Sequence, residues 1–195
     1  MYTIIPPSQF TSVPWKNGKG KTVELAINSG GTLENFDWRL SIASVVEDGA
    51  FSDFSDYHRN LVLIKGCGIT LNHSDKEPDH LDSILSVASF DGSNLTTGHL
   101  TDGAITDFNI ITSKQKYHPS VTTYSSKSSV EFCNKHLNFC YSLTEQLLVS
   151  LRGERFVVEQ GCLLMIEMNS DINGNIEGNG FIFIQLEKLK VAGEG

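Results

Sequence analysis

Residues able to do chemistry gather in the first half of the chain. Pro14-Trp15-Lys16-Asn17-Gly18-Lys19-Gly20-Lys21-Thr22-Val23-Glu24-Leu25 places lysines at 16, 19 and 21, one side-chain amide and one carboxylate in a short stretch. Gly20-Lys21-Thr22 matches the tail of a phosphate-binding loop. The full pattern requires glycine at position 15, where Trp15 stands, and a helix whose N-terminus meets the phosphates. The sequence continues instead as Val23-Glu24-Leu25-Ala26-Ile27, an alternating strand. ATP and GTP binding are therefore set aside. Lysines and backbone N–H groups on a glycine loop suit a small anion, so Lys16 and Asn17 read as the lip of a small polar pocket.

Alternation along strands sharpens this picture. Thr22, Glu24 and Ala26 share one strand face, and Arg39, Ser41 and Ala43 share one face of the next. If these faces line an interior, Glu24 can pair with Arg39, with Thr22 and Ser41 beside them. A buried ion pair is costly and points to a retained role; the plainer alternative is a solvent-exposed face. Ser52 and Arg59 are candidates for holding a carboxylate, since guanidinium matches that group bidentately. Asp107 and Asn109 share a strand face opposite Phe108, where neither is favoured by propensity. Glu24 or Asp107 becomes a candidate general base if burial raises its pKa. Phe51 and Phe54 read as anchors into the core. The histidines, at 58, 73, 80, 99, 118 and 136, show no ligand spacing, and no nucleophile elbow is present, so neither a metal nor another cofactor is expected.

These side chains need a β scaffold. Strands are expected at 23–27, 38–45, 60–64, 107–111, 120–124, 130–133, 137–143, 146–151, 155–159, 162–167 and 181–186, separated by glycine turns. Leu81 to Val87 is the best of few helix candidates. The pattern is all-β, a sandwich or barrel. Leu63-Ile64-Lys65-Gly66-Cys67-Gly68 and Val158-Glu159-Gln160-Gly161-Cys162-Leu163 look like structural counterparts. The chain has 195 residues and a net charge of −8, which disfavours nucleic acid. It shows no signal peptide and no membrane-length apolar run, so a cytoplasmic protein without membrane contact is expected. Its four scattered cysteines read as buried thiols.

Taken in order, several motifs resemble the HutD/Ves family of bacterial proteins. They are Pro14-Trp15-Lys16-Asn17-Gly18-x-Gly20-x-Thr22-x-Glu24, Phe36-Asp37-Trp38-Arg39-Leu40-Ser41-Ile42-Ala43, Asp48-Gly49-x-Phe51-Ser52-x-Phe54, Arg59-x-Leu61, Leu63-x-x-Gly66-x-Gly68, Phe90-Asp91-Gly92 and Asp107-Phe108-Asn109. The resemblance implies a metal-free cupin fold in a bicupin arrangement, a single compact domain with cupin-like halves at about 1–115 and 116–195. It implies a link to histidine utilisation through binding of a pathway intermediate, or a stress-response role as in the Ves branch. A homodimer follows by analogy. Lys19, Ala50 and Asp56-Tyr57-His58 depart from the usual loop residues. On this reading Lys16, Asn17, Arg39 and Arg59 bind carboxylate or formyl groups of a small organic acid, such as urocanate or a formylated or formiminated glutamate. Thr22, Glu24, Ser41, Ser52, Asp107 and Asn109 complete the wall. The alternatives are a metal-independent isomerase or hydrolase using Glu24 or Asp107, and a scaffold module without a ligand.

Overall fold

The computed structural model describes residues 1–14, 21–133, 136–167 and 173–190, without the side chains of Pro14 and Cys133. The chain is all-β. In order it forms β1 (Tyr2–Ile5), a 3-10 turn at Pro7–Gln9, β2 (Thr11–Pro14), β3 (Lys21–Ile27), β4 (Trp38–Val45), β5 (Gly49–Ala50), β6 (Tyr57–Lys65), β7 (Ile69–His73), β8 (Asp79–Leu81), β9 (Val87–Asp91) and β10 (Thr96–Leu100). It continues with β11 (Ile105–Ser113), β12 (Tyr117–Tyr124), β13 (Ser128–Cys133), β14 (Leu137–Ser142), β15 (Leu147–Leu151), β16 (Glu154–Val158), β17 (Leu163–Ile166), β18 (Asn173–Gly178) and β19 (Phe181–Lys188).

Two compact units result, one of Phe10–Tyr117 and one of Met1–Gln9 with His118–Gly195. The first nine residues thus leave the half in which the sequence reading placed them. Their strand β1 pairs with β17, Tyr2 opposite Ile166 and Ile5 opposite Leu163. Contact between residues so far apart in sequence leaves no local pattern to read.

The unit Phe10–Tyr117 holds a six-stranded sheet, in order β2-β3-β4-β11-β6-β9, and a four-stranded sheet, in order β5-β10-β7-β8. Leu61, Leu63, Ala88, Phe90 and Ile105 of the larger sheet pack against Ile69, Leu71 and Leu81 of the smaller. Leu61, Val62 and Leu63 are all fully buried, so β6 is apolar on both faces, as its sequence implied. Each such side chain contributes roughly 1.5–3 kcal/mol by leaving water. The crossing between the sheets is made at Gly66-Cys67-Gly68. Gly66 has φ +105°, and a Cβ there would lie 2.8 Å from the carbonyl oxygen of Ala104. Only glycine meets both demands.

The second unit repeats the two-sheet plan, with orders β1-β17-β14-β19-β12 and β13-β18-β15-β16. Its core joins Cys140, Leu164, Ile166, Phe181 and Phe183 of one sheet to Leu147, Val149, Val158 and Ile176 of the other. The Gly161-Cys162 turn carries the chain from β16 in one sheet to β17 in the other, as Gly66-Cys67-Gly68 does from β6 to β7.

Two expectations are corrected. Leu81 to Val87 is not a helix: Leu81 ends β8, and Leu85 turns the chain at φ 72°. The Leu85 N–H donates to the Leu63 carbonyl at 2.7 Å, which ties the turn to β6 instead of to a helical neighbour. Cys140 and Cys162 are buried thiols, but Cys67 is exposed on its glycine turn. No helix among the described residues is long and apolar enough to cross a membrane.

Candidate functional site

In an antiparallel sheet, residues directly opposite each other project from the same face. Glu24 lies opposite Ser41, Ser41 opposite Asn109, and Asn109 opposite Leu61. One step along, Arg39 lies opposite Ile111, and Ile111 opposite Arg59. At the other end Thr22 faces Ala43, Ala43 faces Asp107, and Asp107 faces Leu63. Thr22, Glu24, Arg39, Ser41, Arg59, Asp107 and Asn109 therefore share one face of the six-stranded sheet. That face continues through Leu61, Leu63, Ala88 and Phe90 into the core between the two sheets. The polar residues are thus on the inner face, and the exposed-face alternative is overturned.

The strict alternation expected along β3 fails after Glu24. A register shift between Glu24 and Ala26 inserts Leu25 as an extra residue. Ala26 then pairs with Leu40 and Ile27 with Arg39. Ala26 is therefore not on the face of Glu24, and buried Leu25 marks the bulge.

Two charged clusters lie on the inner face. Arg39 Nε donates to Glu24 Oε2 at 2.7 Å, with side chains 9% and 20% exposed. The pair anticipated from alternation is formed. Arg59 is 5% exposed and donates through Nη2 to Asn109 Oδ1 at 3.1 Å. Its Nη1 donates at 3.1 Å to the backbone carbonyl of Ser52. The Asn109 amide turns its Nδ2 to Asp107 Oδ1, which completes a relay from guanidinium to carboxyl. Asp107 is fully buried. Burial pushes its carboxyl up to about 7, against the smaller opposing pull of Arg59 and of the Asn109 hydrogen bond. Burial likewise brings Arg59 down to about 10, with Asp107 opposing. Among the described residues, Arg59 Nε and Asp107 Oδ2 have no hydrogen-bond partner.

Three aromatic rings surround Arg59. Its guanidinium carbon lies 5.3 Å from the ring centroid of Phe51 and 5.2 Å from those of Phe54 and Phe90. Cation–π attraction to these rings helps to hold the buried guanidinium in place. Phe51 and Phe54 had read only as core anchors. Phe90 was absent from the candidate set, although alternation along β9 places it beside Ala88 on the inner face. His73 was weighed only as a metal ligand. That ring is enclosed, with Nδ1 2.9 Å from Thr96 Oγ1, Nε2 3.1 Å from Asp79 Oδ2, and its centroid 4.8 Å from that of Phe90.

Ser52 is exposed, and its backbone carbonyl accepts from Arg59 Nη1. Lys16 and Asn17 lie outside the described residues. Thr22 is half-buried and Ser41 buried on the shared face. Lys21-Thr22 begins strand β3 with no helix following, which removes the phosphate-loop geometry. Among the described residues no group of three or more His, Cys, Asp or Glu side chains is arranged for a metal ion. The second unit has surface clefts of about 220 and 280 Å³, which share Leu151 and Arg152. Neither carries a buried charge, so the chemistry concentrates on the inner face of Phe10–Tyr117.

The HutD family model matches residues 7–184. The chain belongs to the HutD family. Among curated relatives it is 30% identical over 185 residues to an "Uncharacterized 21.2 kDa protein in hutC 3'region" of Pseudomonas putida, covering 94% of this chain and 96% of the relative. It is 28% identical over 172 residues to "Protein Ves" of Escherichia fergusonii, covering 80% and 87%. Among solved structures, HutD from Pseudomonas fluorescens SBW25 (formate condition) superposes with a TM-score of 0.82 at 27% identity, over 97% of this chain and all of that one. A cupin 2 conserved barrel domain protein from Leptotrichia buccalis reaches 0.55 at 10% identity, over 90% and 92% of the chains, and shows the fold alone. The HutD-family fold of this chain is therefore cupin-like.

Proposed function

We propose that the inner face of the unit Phe10–Tyr117 binds a small organic acid, and that the protein acts by sensing or sequestering it. The observation that carries this reading is Arg59. A guanidinium held by three rings and two acceptors still has a buried Nε without a partner among the described residues. A buried donor left unpaired costs about 1–3 kcal/mol. Carboxylate approaching the guanidinium edge satisfies Nε with a charge-assisted bond. Arg39 lies across Ile111 on the same face at about 10 Å by strand spacing, with its charge offset by Glu24.

The name of the Pseudomonas putida relative places that protein beside hutC. It supports testing acids of histidine breakdown first, namely urocanate and the formylated and formiminated glutamates, with formate as the smallest probe. Calorimetric titration of these acids tests the reading. Binding by the wild type and at least tenfold weaker binding by Arg59→Lys supports it, since lysine keeps the charge and loses the planar fork. No heat and no thermal stabilisation with any of them at about millimolar concentration sinks it.

A second reading is favoured by Asp107, whose raised pKa and unpartnered Oδ2 suit a general base. Loss of an acid substrate in the presence of wild-type protein, abolished in Asp107→Asn, decides for catalysis; a stable complex without turnover decides for binding.

A further inference from the structure

We propose that acid binding at Arg59 is coupled to uptake of one proton by Asp107, so that the protein takes its ligand as anion plus proton and releases it as pH rises. The proposal rests on the acid-binding reading above and adds its regulation.

The geometry leads there directly. Asp107 sits fully buried on β11, two residues from Asn109 and on the same face. Asn109 Nδ2 donates to its Oδ1, and Asn109 Oδ1 accepts from Arg59 Nη2. One cation and one carboxyl thus share an enclosed relay, with the amide between them. Asp107 Oδ2 and Arg59 Nε are the atoms of that relay without a partner among the described residues. An arriving carboxylate is a second anion for a single guanidinium. Two carboxylates around one cation in a buried site do not both ionise freely; repulsion raises the pKa of one. Asp107 is the one placed to yield, since burial already favours its neutral form.

The other charged groups on the two inner faces do not replace it. On β3 and β4, Glu24 and Arg39 neutralise each other at 2.7 Å. From the opposed sheet, His73 on β7 and Asp79 on β8 hydrogen-bond to each other at 3.1 Å, and Lys76 joins Asp79 at 2.8 Å. Among the described residues, β2, β5, β9 and β10 present no charged side chain to this face. Neutral Asp107 leaves Arg59 uncompensated and strongly attractive to an anion. Ionised Asp107 competes for the same charge.

Calorimetry with formate, from about pH 6 to about pH 9 in buffers of different ionisation heat, reads the coupling as protons taken up per acid bound. The wild type is expected to take up close to one proton at about pH 8, with affinity falling about tenfold per pH unit above about 7. Asp107→Asn, which fixes the neutral form and still accepts from Asn109, is expected to bind formate with no proton uptake and a nearly flat pH profile. Wild-type binding without proton uptake overturns the coupling and leaves the acid-binding site standing. Uptake that persists in Asp107→Asn also overturns it, because another group then carries the proton. No binding by the wild type at any pH overturns the site and the coupling together. If Asp107→Asn does not fold, the wild-type proton count decides alone.

Discussion

Asn109 bridges Arg59 and Asp107, its amide facing the guanidinium with its oxygen and the carboxyl with its nitrogen. The three side chains come from two adjacent strands, β6 and β11: Arg59 lies opposite Ile111, Asn109 opposite Leu61 and Asp107 opposite Leu63. The amide orientation is fixed by its neighbours, since neither guanidinium nor the accepting Oδ1 tolerates the reverse. This relay is the least replaceable part of the inner face.

Asn109→Ala removes both bonds, so the buried Arg59 guanidinium and Asp107 carboxyl lose their shared partner. A loss of about 3–5 kcal/mol in unfolding free energy is expected, the range for breaking buried charged networks. Urea denaturation checks it. A midpoint indistinguishable from wild type at equal m-value would falsify the relay as a stabilising unit.

Asp107 should make stability fall with pH. Its folded pKa is about 7, raised by burial from 3.8. The folded state therefore binds the proton more tightly than the unfolded chain. The contribution is fully present below about pH 4, declines as pH rises through the folded value, and is gone above about 7. A rise of about three pH units corresponds to on the order of 4 kcal/mol at full extent. Asp107→Asn, which has no proton to lose, is expected to match the wild type near pH 4 and exceed it near pH 8. Thermal melts across that range decide; parallel curves for the two proteins contradict the assignment.

Glu24 and Arg39 are mostly buried, so the pair should show coupling that an exposed pair lacks. Glu24→Ala strands the guanidinium and is expected to cost about 1–3 kcal/mol. Adding Arg39→Ala should cost less in that background than alone, with a coupling of at least about 1 kcal/mol in a double-mutant cycle. Additivity within about 0.3 kcal/mol would show that solvent screens the contact.

Much of this face was legible before any coordinates. Trp38–Val45 alternates so regularly that its bounds follow from the residues alone, and that strand carries Arg39 and Ser41. The Glu24–Arg39 pair follows from alternation on neighbouring strands. Other parts depend on contacts that leave no local mark. Register alone brings Arg59 to Asn109, 50 residues away. The Leu25 bulge is invisible because its run alternates without a break. Ile69–His73 and Thr96–Leu100 are strands with polar residues among their apolar ones, held by cross-strand pairing. Leu81, Ile84 and Leu85 imitate helical spacing, but Ile84 is 40% exposed and Leu85 adopts a left-handed turn.

Gly98 offers the sharpest test of how the opposite sheet supports Arg59. It lies on β10 opposite Leu71 and Gly49. A Cβ there would stand 2.7 Å from Phe51 Cε2 and 2.9 Å from Ile69 Cδ1. Ile69 is fully buried in the core, so its methyl has little room to retreat. Phe51 is half-buried and is the easier group to move, but it is also one wall of the Arg59 enclosure. Gly98→Ala should therefore displace Phe51 from the guanidinium and cost about 1–3 kcal/mol, the usual penalty for overpacking. Acid affinity should fall with it, although Gly98 has no side chain to touch a ligand. Phe51→Leu should lower affinity similarly, and Gly98→Ala in that background should then add little. If Gly98→Ala instead lowers stability while leaving acid binding unchanged, the Phe51 ring contributes to the core but not to presentation of Arg59.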